Sequence, residues 1–161
     1  MTAQDERLTA YEVREARDHG DRDACFAVRR EVFVVEQNVP AEIEYDPYDE
    51  TAVHVLAVRA DGLPLGTGRL LHGDDALGKT GADASVGSLG RLAVTKAARG
   101  LGVGAALVRA IEDAARARGL TAVDLHAQTH ATGFYERLGY EAYGPEFPDA
   151  GIPHRAMRRT L

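Results

Sequence analysis

The stretch Ala97–Val108, "AARGLGVGAALV", places Gly100, Gly102 and Gly104 between an arginine and an apolar run. Glycine at every second position is too flexible for a strand interior and too abundant for an ordinary helix start. Downstream, Val103, Leu107, Ile111 and Ala114 or Ala115 recur at helical spacing and Gly119 offers a C-terminal stop, which predicts a helix from about Gly102 to Arg118. Upstream, "SVGSLGRLAV" reads as an apolar strand. The glycines therefore fall where a strand hands over to the longest helix. At such a junction the first helical N–H groups have no intrahelical partner, and with the helix dipole they attract an anion. A residue without a Cβ lets phosphate oxygens reach the backbone, and Arg99 adds a fixed positive charge at the rim.

The rest of the chain is punctuated as a mixed α/β (α+β) fold. "LTAYEVREA" reads as a first strand, and "DRDACFAVRREVFVVE" places Ala24, Cys25, Ala27, Val28 and Val32 at helical spacing behind an Asp21 cap. "AVHVLAVRA" and "LPLGTGRLLH" flank Asp61-Gly62, a hairpin turn signal, so that with "SVGSLGRLAV" three neighbouring antiparallel strands are expected. After the long helix, "TAVDLHAQ" is a strand and "HATGFYERLG" a short helix closed by Gly139; "YEAYG" and "PHRAMRRTL" are final strands. The order is β-α-β-β-β-α-β-α-β-β. There is no repeat and no linker, and 161 residues suit one domain over 1–161.

Composition narrows the partners. Lys and Arg number 19 against 25 Asp and Glu, a net charge of -6, so no nucleic acid or membrane partner is expected and any anionic ligand needs a local site. The single cysteine, Cys25, suits a buried small hydrophobe in a reducing compartment. "MTAQDERLTAYEV" carries acids where a signal peptide needs a basic run and an apolar core, which predicts a soluble cytoplasmic protein.

Two other phosphate motifs match as text. Gly100, Gly102 and Ala105 fit G-x-G-x-x-G/A with Asp124 downstream, but "TKAAR" separates the strand from its first glycine, Asp124 falls in mid-strand, and alternating βα units are missing. "GDDALGKT", Gly73–Thr80, is a complete match to G-x-x-x-x-G-K-[ST]. That motif works only when a helix follows, whereas "GADASVGSLG" lacks helical periodicity and Asp74 and Asp75 would face the phosphates. A surface loop between two strands is expected there, and a P-loop nucleotide-binding protein is a remote reading.

"GRLAVTKAARGLGVGAALVRAIEDAARARG" followed by "LHAQTHATGFYERLGY" resembles the GNAT acetyltransferase superfamily, whose Arg/Gln-x-x-Gly-x-Gly/Ala motif is met by Arg99, Gly102 and Gly104. "VRREVFVVEQNVP", "GTGRLL" and "EFPDAGIPHRAM" resemble the small bacterial branch that includes the ElaA and YjcF types. The resemblance implies a central mixed sheet of six to seven strands, splayed between the fourth and fifth, with about four helices. It implies acetyl-CoA as acyl donor and no metal. Leu92, Ala93 and Val94 would pair with pantetheine, and an N–H near Leu92 or Ala93 would meet the developing oxyanion. Arg99, Gly100, Leu101, Gly102, Val103, Gly104 and Ala105 would cradle the pyrophosphate, and Gln128 stands where the family has an asparagine.

By the same resemblance Tyr135 lies near the CoA sulfur and can act as acid toward the leaving thiolate. His154 in "GIPHRAM" matches a histidine that serves as base in the glyphosate N-acetyltransferase branch; Glu36 is the rival base. His54, His126 and His130 read as strand-end or capping residues, and Phe134 as core. The acceptor pocket would be lined by Arg29, Phe33, Arg69 and Arg91, the three arginines suited to a carboxylate or phosphate on the acceptor and Glu36 with Glu42 or Glu44 to a cation. The expected activity is transfer of acetyl to a primary amine of a small molecule or peptide by direct attack in a ternary complex. Cys25, far from the cofactor motifs, argues against a covalent route. A non-catalytic acyl-CoA sensor is the alternative, and a homodimer is left open.

Overall fold

A computed structural model describes residues 10–161. Seven strands form one sheet: β1 (Tyr11–Glu15), β2 (Val53–Arg59), β3 (Pro64–Leu71), β4 (Val86–Val94), β5 (Ala122–Gln128), β6 (Glu141–Asp149) and β7 (Ile152–Thr160). Their spatial order is β1-β2-β3-β4-β5-β7-β6. Every neighbouring pair is antiparallel except β4 and β5, which run parallel. Parallel neighbours need a crossover, and it is supplied by the long helix. Leu8 and Thr9 of the expected first strand lie outside the described residues.

Helix α1 (His19–Arg29) continues into a π-helical stretch, Arg30–Glu36, and α2 (Ala41–Glu44) is a single turn; α3 spans Val103–Ala117 and α4 Thr132–Arg137. α3 lies on one face of the sheet. Its Val103, Leu107, Ile111, Ala114 and Ala115 pack with Val55, Leu70, Leu89, Val123, Leu125 and Met157 in the main core. On the opposite face, Cys25 of α1 packs with Leu56 and Val58 of β2, while Val28 and Val32 meet Ala93 of β4.

The α1 cap is Asp18, not Asp21: the Asp18 carboxylate accepts the Asp21 N–H at 2.8 Å. Asp21 uses its own carboxylate to hold the Arg14 guanidinium of β1 at 2.9 Å and the Arg17 N–H at 3.0 Å. At the first hairpin the Gly62 N–H closes a turn on the Arg59 carbonyl. Gly73–Thr80 begins with a 3-10 turn, Gly73–Ala76, and then passes through turns and bends into β4. No helix follows Thr80, so the stretch lacks the helix N-terminus a P-loop requires.

Candidate active site

β4 pairs with β5 only from Val86 opposite Ala122 to Leu89 opposite Leu125. Beyond that point the strands diverge, and Gly90–Val94 has no partner on the β5 side. A bulge marks the break. Thr67 of β3 sits opposite Ala93 and Arg69 opposite Gly90, so two steps on β3 match three on β4. Arg91 takes up the extra residue at φ +52°, a left-handed conformation costly for a side chain of its size. The bulge thus ends the pairing and frees the backbone of Leu92–Val94 to bond something else.

The divergence opens a cleft of about 800 Å³. Of the residues singled out in the sequence, Phe33, Glu36, Arg69, Arg91, Leu92, Ala93, Val94, Arg99, Gly100, Gly102, Val103, Gly104, Ala105, Gln128, Tyr135 and His154 all line it. Leu101 does not: its side chain is exposed and its carbonyl accepts from the Tyr11 hydroxyl. Arg29 is also absent from the walls. It is 1% exposed, with its guanidinium bonded to Glu44 and Asp49 at 2.6 and 2.7 Å, so it is sealed off from an acceptor molecule.

At one end of the cleft stands the α3 N-terminus. Gly102 caps it at φ +77° with no side-chain bond, and the first intrahelical bond runs from the Ala106 N–H to the Gly102 carbonyl. The N–H groups of Val103, Gly104 and Ala105 therefore lack intrahelical partners. A Cβ on Gly104 would meet the Phe134 ring at 3.2 Å. Phe134 is accordingly a cleft wall as well as a core neighbour, which departs from its reading as core alone. Unpaired N–H groups, open glycine surface and a guanidinium fit a pyrophosphate. Arg99 meanwhile grips Glu36 with both nitrogens, at 2.9 and 2.8 Å. That guanidinium holds the Glu36 carboxyl below its ordinary value, so in this structure Glu36 serves as the counter-ion of Arg99.

The opposite end is polar because of sheet register. Ser88 pairs with Asp124, Gln128 with His154 and Phe147 with His154, so with His126 these side chains share the face away from α3. His154 is 9% exposed, and its Nδ1 lies 2.7 Å from the Ile152 carbonyl. A carbonyl only accepts, so Nδ1 carries the hydrogen and the Nε2 lone pair of the neutral ring is left to accept a proton. Phe147 stacks on His154 at 6.1 Å and meets His126 edge-on at 5.0 Å. Gln128 donates to Gln37 at 3.0 Å and bonds His130 at 2.7 Å, tying the mouth of β5 to the end of the π-helical stretch.

Tyr135 projects from α4 into the wall at 8% exposure, and burial pushes its phenol well above the usual value. It stays protonated at neutral pH and is equipped to donate a hydrogen bond. Cys25 is fully buried with its thiol pushed up by burial, remote from the cleft walls.

Besides Phe134, three cleft residues were assigned otherwise in the sequence. His130, read with His126 as a strand-end or capping residue, lines the cavity near its mouth. His126, taken as a strand-end residue, lines the cavity; burial lowers its pKa, and its Nε2 lies 3.8 Å from the Asp124 carboxylate. Lys79, from the P-loop look-alike, also lines it. The signal for His126 was its period-two spacing from Gln128, which already pointed at the cofactor. Lys79 carried no such signal. Asp124, the would-be ribose ligand, is fully buried and bonded to Arg158 and Tyr143.

Beside this end lies an ion network. Arg29, Arg69 and Arg91 share Glu44, Asp46 and Asp49, with contacts from 2.6 to 3.4 Å. Burial alone would raise the Asp49 carboxyl, yet Arg29 and Arg69 hold it well below the usual range. Arg69 and Arg91 thus reach the cleft already committed to carboxylates. Among the described residues, the Arg69 Nε and one Glu44 oxygen are buried without a partner.

Comparison with known proteins agrees with this geometry. The family model described as an acetyltransferase (GNAT) domain matches residues 15–161. The uncharacterised N-acetyltransferase YjcF of Bacillus subtilis is 40% identical over 136 residues, covering 84% of this chain and 89% of that protein. ElaA of Escherichia coli is 33% identical over 140 residues, 86% of each chain. An acyl-CoA N-acyltransferase structure from Pseudomonas aeruginosa superposes with a TM-score of 0.75 at 34% identity, covering 93% of this chain and 98% of that one. The E. coli ElaA structure gives 0.78 at 27% identity, covering 93% and 99%.

Proposed function

Because this chain belongs to the GNAT acetyltransferase family, we propose that it is an acetyl-CoA-dependent N-acetyltransferase that passes the acetyl group to a primary amine by direct attack in a ternary complex. The observation that carries this reading is one continuous cleft joining the unpaired α3 N-terminus to the free Nε2 of His154, past the unpaired edge of β4. Acetyl-CoA, when bound, supplies the thioester. The N–H groups of Val103, Gly104 and Ala105, with Arg99 released from Glu36, hold its pyrophosphate, and the unpaired β4 edge bonds the pantetheine amides. An N–H of Leu92 or Ala93 meets the charge that develops on the carbonyl oxygen.

His154 takes the proton that the attacking amine must shed, its ring held in the required tautomer by the Ile152 carbonyl. Tyr135 donates a hydrogen bond to the departing sulfur. Gln128, fixed between Gln37 and His130, is the amide at the cofactor wall.

Calorimetry with acetyl-CoA and, separately, with Mg-ATP tests the first half of the reading. Release of free thiol across a panel of amines tests the second. Heat with acetyl-CoA alone and thiol release with at least one amine are expected. An absence of heat with acetyl-CoA overturns the reading, and binding without thiol release on a broad panel favours an acyl-CoA sensor.

A further inference from the structure

The motif that reads as a P-loop has a different place in this fold. Lys79 is held in a tight turn, its N–H on the Ala76 carbonyl at 3.0 Å, and the next residue, Thr80, is buried with its hydroxyl on the Asp83 carbonyl. This anchoring sends the Lys79 side chain into the acceptor end of the cleft.

Within the ion network at that end the charges balance. Three guanidinium groups, of Arg29, Arg69 and Arg91, meet three carboxylates, of Glu44, Asp46 and Asp49, in ion pairs. Lys79 is a further cation outside those pairs, and among the described residues no carboxylate comes within ion-pair distance of it; Asp149, which lines the same cleft, is exposed and lies beyond that distance. Burial first, then Arg69 and Arg91, press its pKa down; Asp149 and Asp46 oppose this only from longer range. A half-buried ammonium beside two guanidinium groups is costly without a counter-ion. The neighbouring Arg69 Nε is a second buried donor without an acceptor. The same network also holds an orphaned acceptor, a Glu44 oxygen, so the case for an anion rests on Lys79.

Lys79 and His154 each act electrostatically on the same imidazole, that of His126. Lys79, His126 and His154 all line the one cleft. We infer that the amine accepted here also carries a carboxylate or phosphate group, which Lys79 seats with Arg91 beside it while the amine end faces His154. This rests on the acetyltransferase reading and names its substrate class. No bond is made to Lys79; it acts as a specificity residue.

Matched acceptors separate the claims: O-phosphoethanolamine against ethanolamine for phosphate, and β-alanine against propylamine for carboxylate. Thiol release is followed at saturating acetyl-CoA. The wild type should favour an anionic member by about 10-fold or more in kcat/KM, the worth of a charge-assisted contact. Lys79→Met should abolish that preference by raising KM for the anionic member alone, leaving the KM for acetyl-CoA unchanged. Lys79→Arg should restore most of it.

A preference that survives Lys79→Met, or an equal loss on both members of a pair, overturns the inference. So does a wild type that favours the neutral amines. If no member of either pair is turned over, inorganic phosphate and acetate are titrated into the CoA-loaded wild type and Lys79→Met. Anion binding confined to the wild type supports the seat, and its absence overturns it. Failure of the wild type to bind acetyl-CoA sinks the parent reading, whereas efficient acetylation of neutral amines sinks only this one.

Discussion

Gly102→Ala separates what the glycine loop does for folding from what it does for acetyl-CoA. Gly102 sits at φ +77°, and a Cβ built on it meets nothing within 4 Å. The substitution therefore adds no clash, only the left-handed penalty of an L-residue, roughly 1–2 kcal/mol. Gly62, at φ +93° on the β2–β3 hairpin, also has nothing within 4 Å and lies away from the cleft. It is a matched control. Each change should lower Tm by about 2–4 °C per kcal/mol lost for a chain of this size. The two differ in binding. A methyl group on Gly102 stands where phosphate oxygens approach the first N–H groups of α3, and one charge-assisted hydrogen bond is worth about 1.5–3 kcal/mol. Calorimetric affinity for acetyl-CoA should therefore fall about 10- to 100-fold in Gly102→Ala and stay unchanged in Gly62→Ala. Equal affinities in the two variants would refute the pyrophosphate site, whatever their melting temperatures.

Other perturbations address the catalytic end and the mouth. His154→Ala should lower kcat by about 10²–10⁴-fold, the usual worth of a general base, and flatten the acidic limb of the pH–rate profile, with acetyl-CoA affinity intact; an unchanged profile moves the base elsewhere, with His126 the next candidate. Tyr135→Phe should reduce kcat while leaving calorimetric acetyl-CoA binding as it was. Glu36→Gln should tighten acetyl-CoA by no more than about 5-fold, because the exposed Glu36–Arg99 pair is worth only about 0.2–1 kcal/mol, and the gain should shrink in high salt; weaker binding would show that Glu36 helps hold the donor. Acid should destabilise the fold: Asp49 and Glu112 both have lowered folded-state pKa values, burial being outweighed by their arginine partners. Groups depressed in this way add stability that is full above the unfolded carboxylate pKa of about 4 and is lost below it. Urea midpoints should therefore slip as pH drops through about 6.5, where unfolded His54 and His126 bind protons that their buried rings resist, and fall steeply below about 4; midpoints that rise on acidification would contradict the assignment.

Much of the fold was legible because the chain keeps its periods. β2 and β3 are buried along almost their whole length, and the α3 stripe of Val103, Leu107 and Ile111 is a plain helical spacing. The α1 cap was less so. Asp18 and Asp21 lie three residues apart, and composition alone does not say which is the cap and which is the third helical residue. The ion network was hidden for a different reason. "EIEYDPYDE" looks like solvated surface, and only the folded chain brings Glu44, Asp46 and Asp49 to Arg29, Arg69 and Arg91, up to 47 residues away. The β4 bulge was hidden as well, since Arg91 is an unremarkable residue until its φ is known. The site was legible where it depends on backbone, at the glycines, and obscure where it depends on long-range pairing.

That distinction decides which arginines belong to the chemistry. Arg29, Arg69, Arg91 and Arg99 all carry the same group, and all four looked suited to an anionic ligand. Arg29 and Arg69 are paired with carboxylates at 1–2% side-chain exposure, where breaking a pair leaves a charge buried and unpartnered. Such pairs stay closed, so these two residues form a rigid floor. Arg99 and Glu36 face each other at 42% and 38% side-chain exposure. Water compensates the parted groups there, and an incoming pyrophosphate can take the place of Glu36 at small cost. Arg91 stands between these extremes at 23%, with Glu44 and Asp46 as partners. The committed floor leaves Lys79 without an ion pair among the described residues, because every carboxylate in the network already serves a guanidinium and Asp149 on the cleft wall lies beyond pairing distance. On the proposed function, the pyrophosphate would meet Arg99 at one end of the cleft and the acceptor's anion would meet Lys79 at the other.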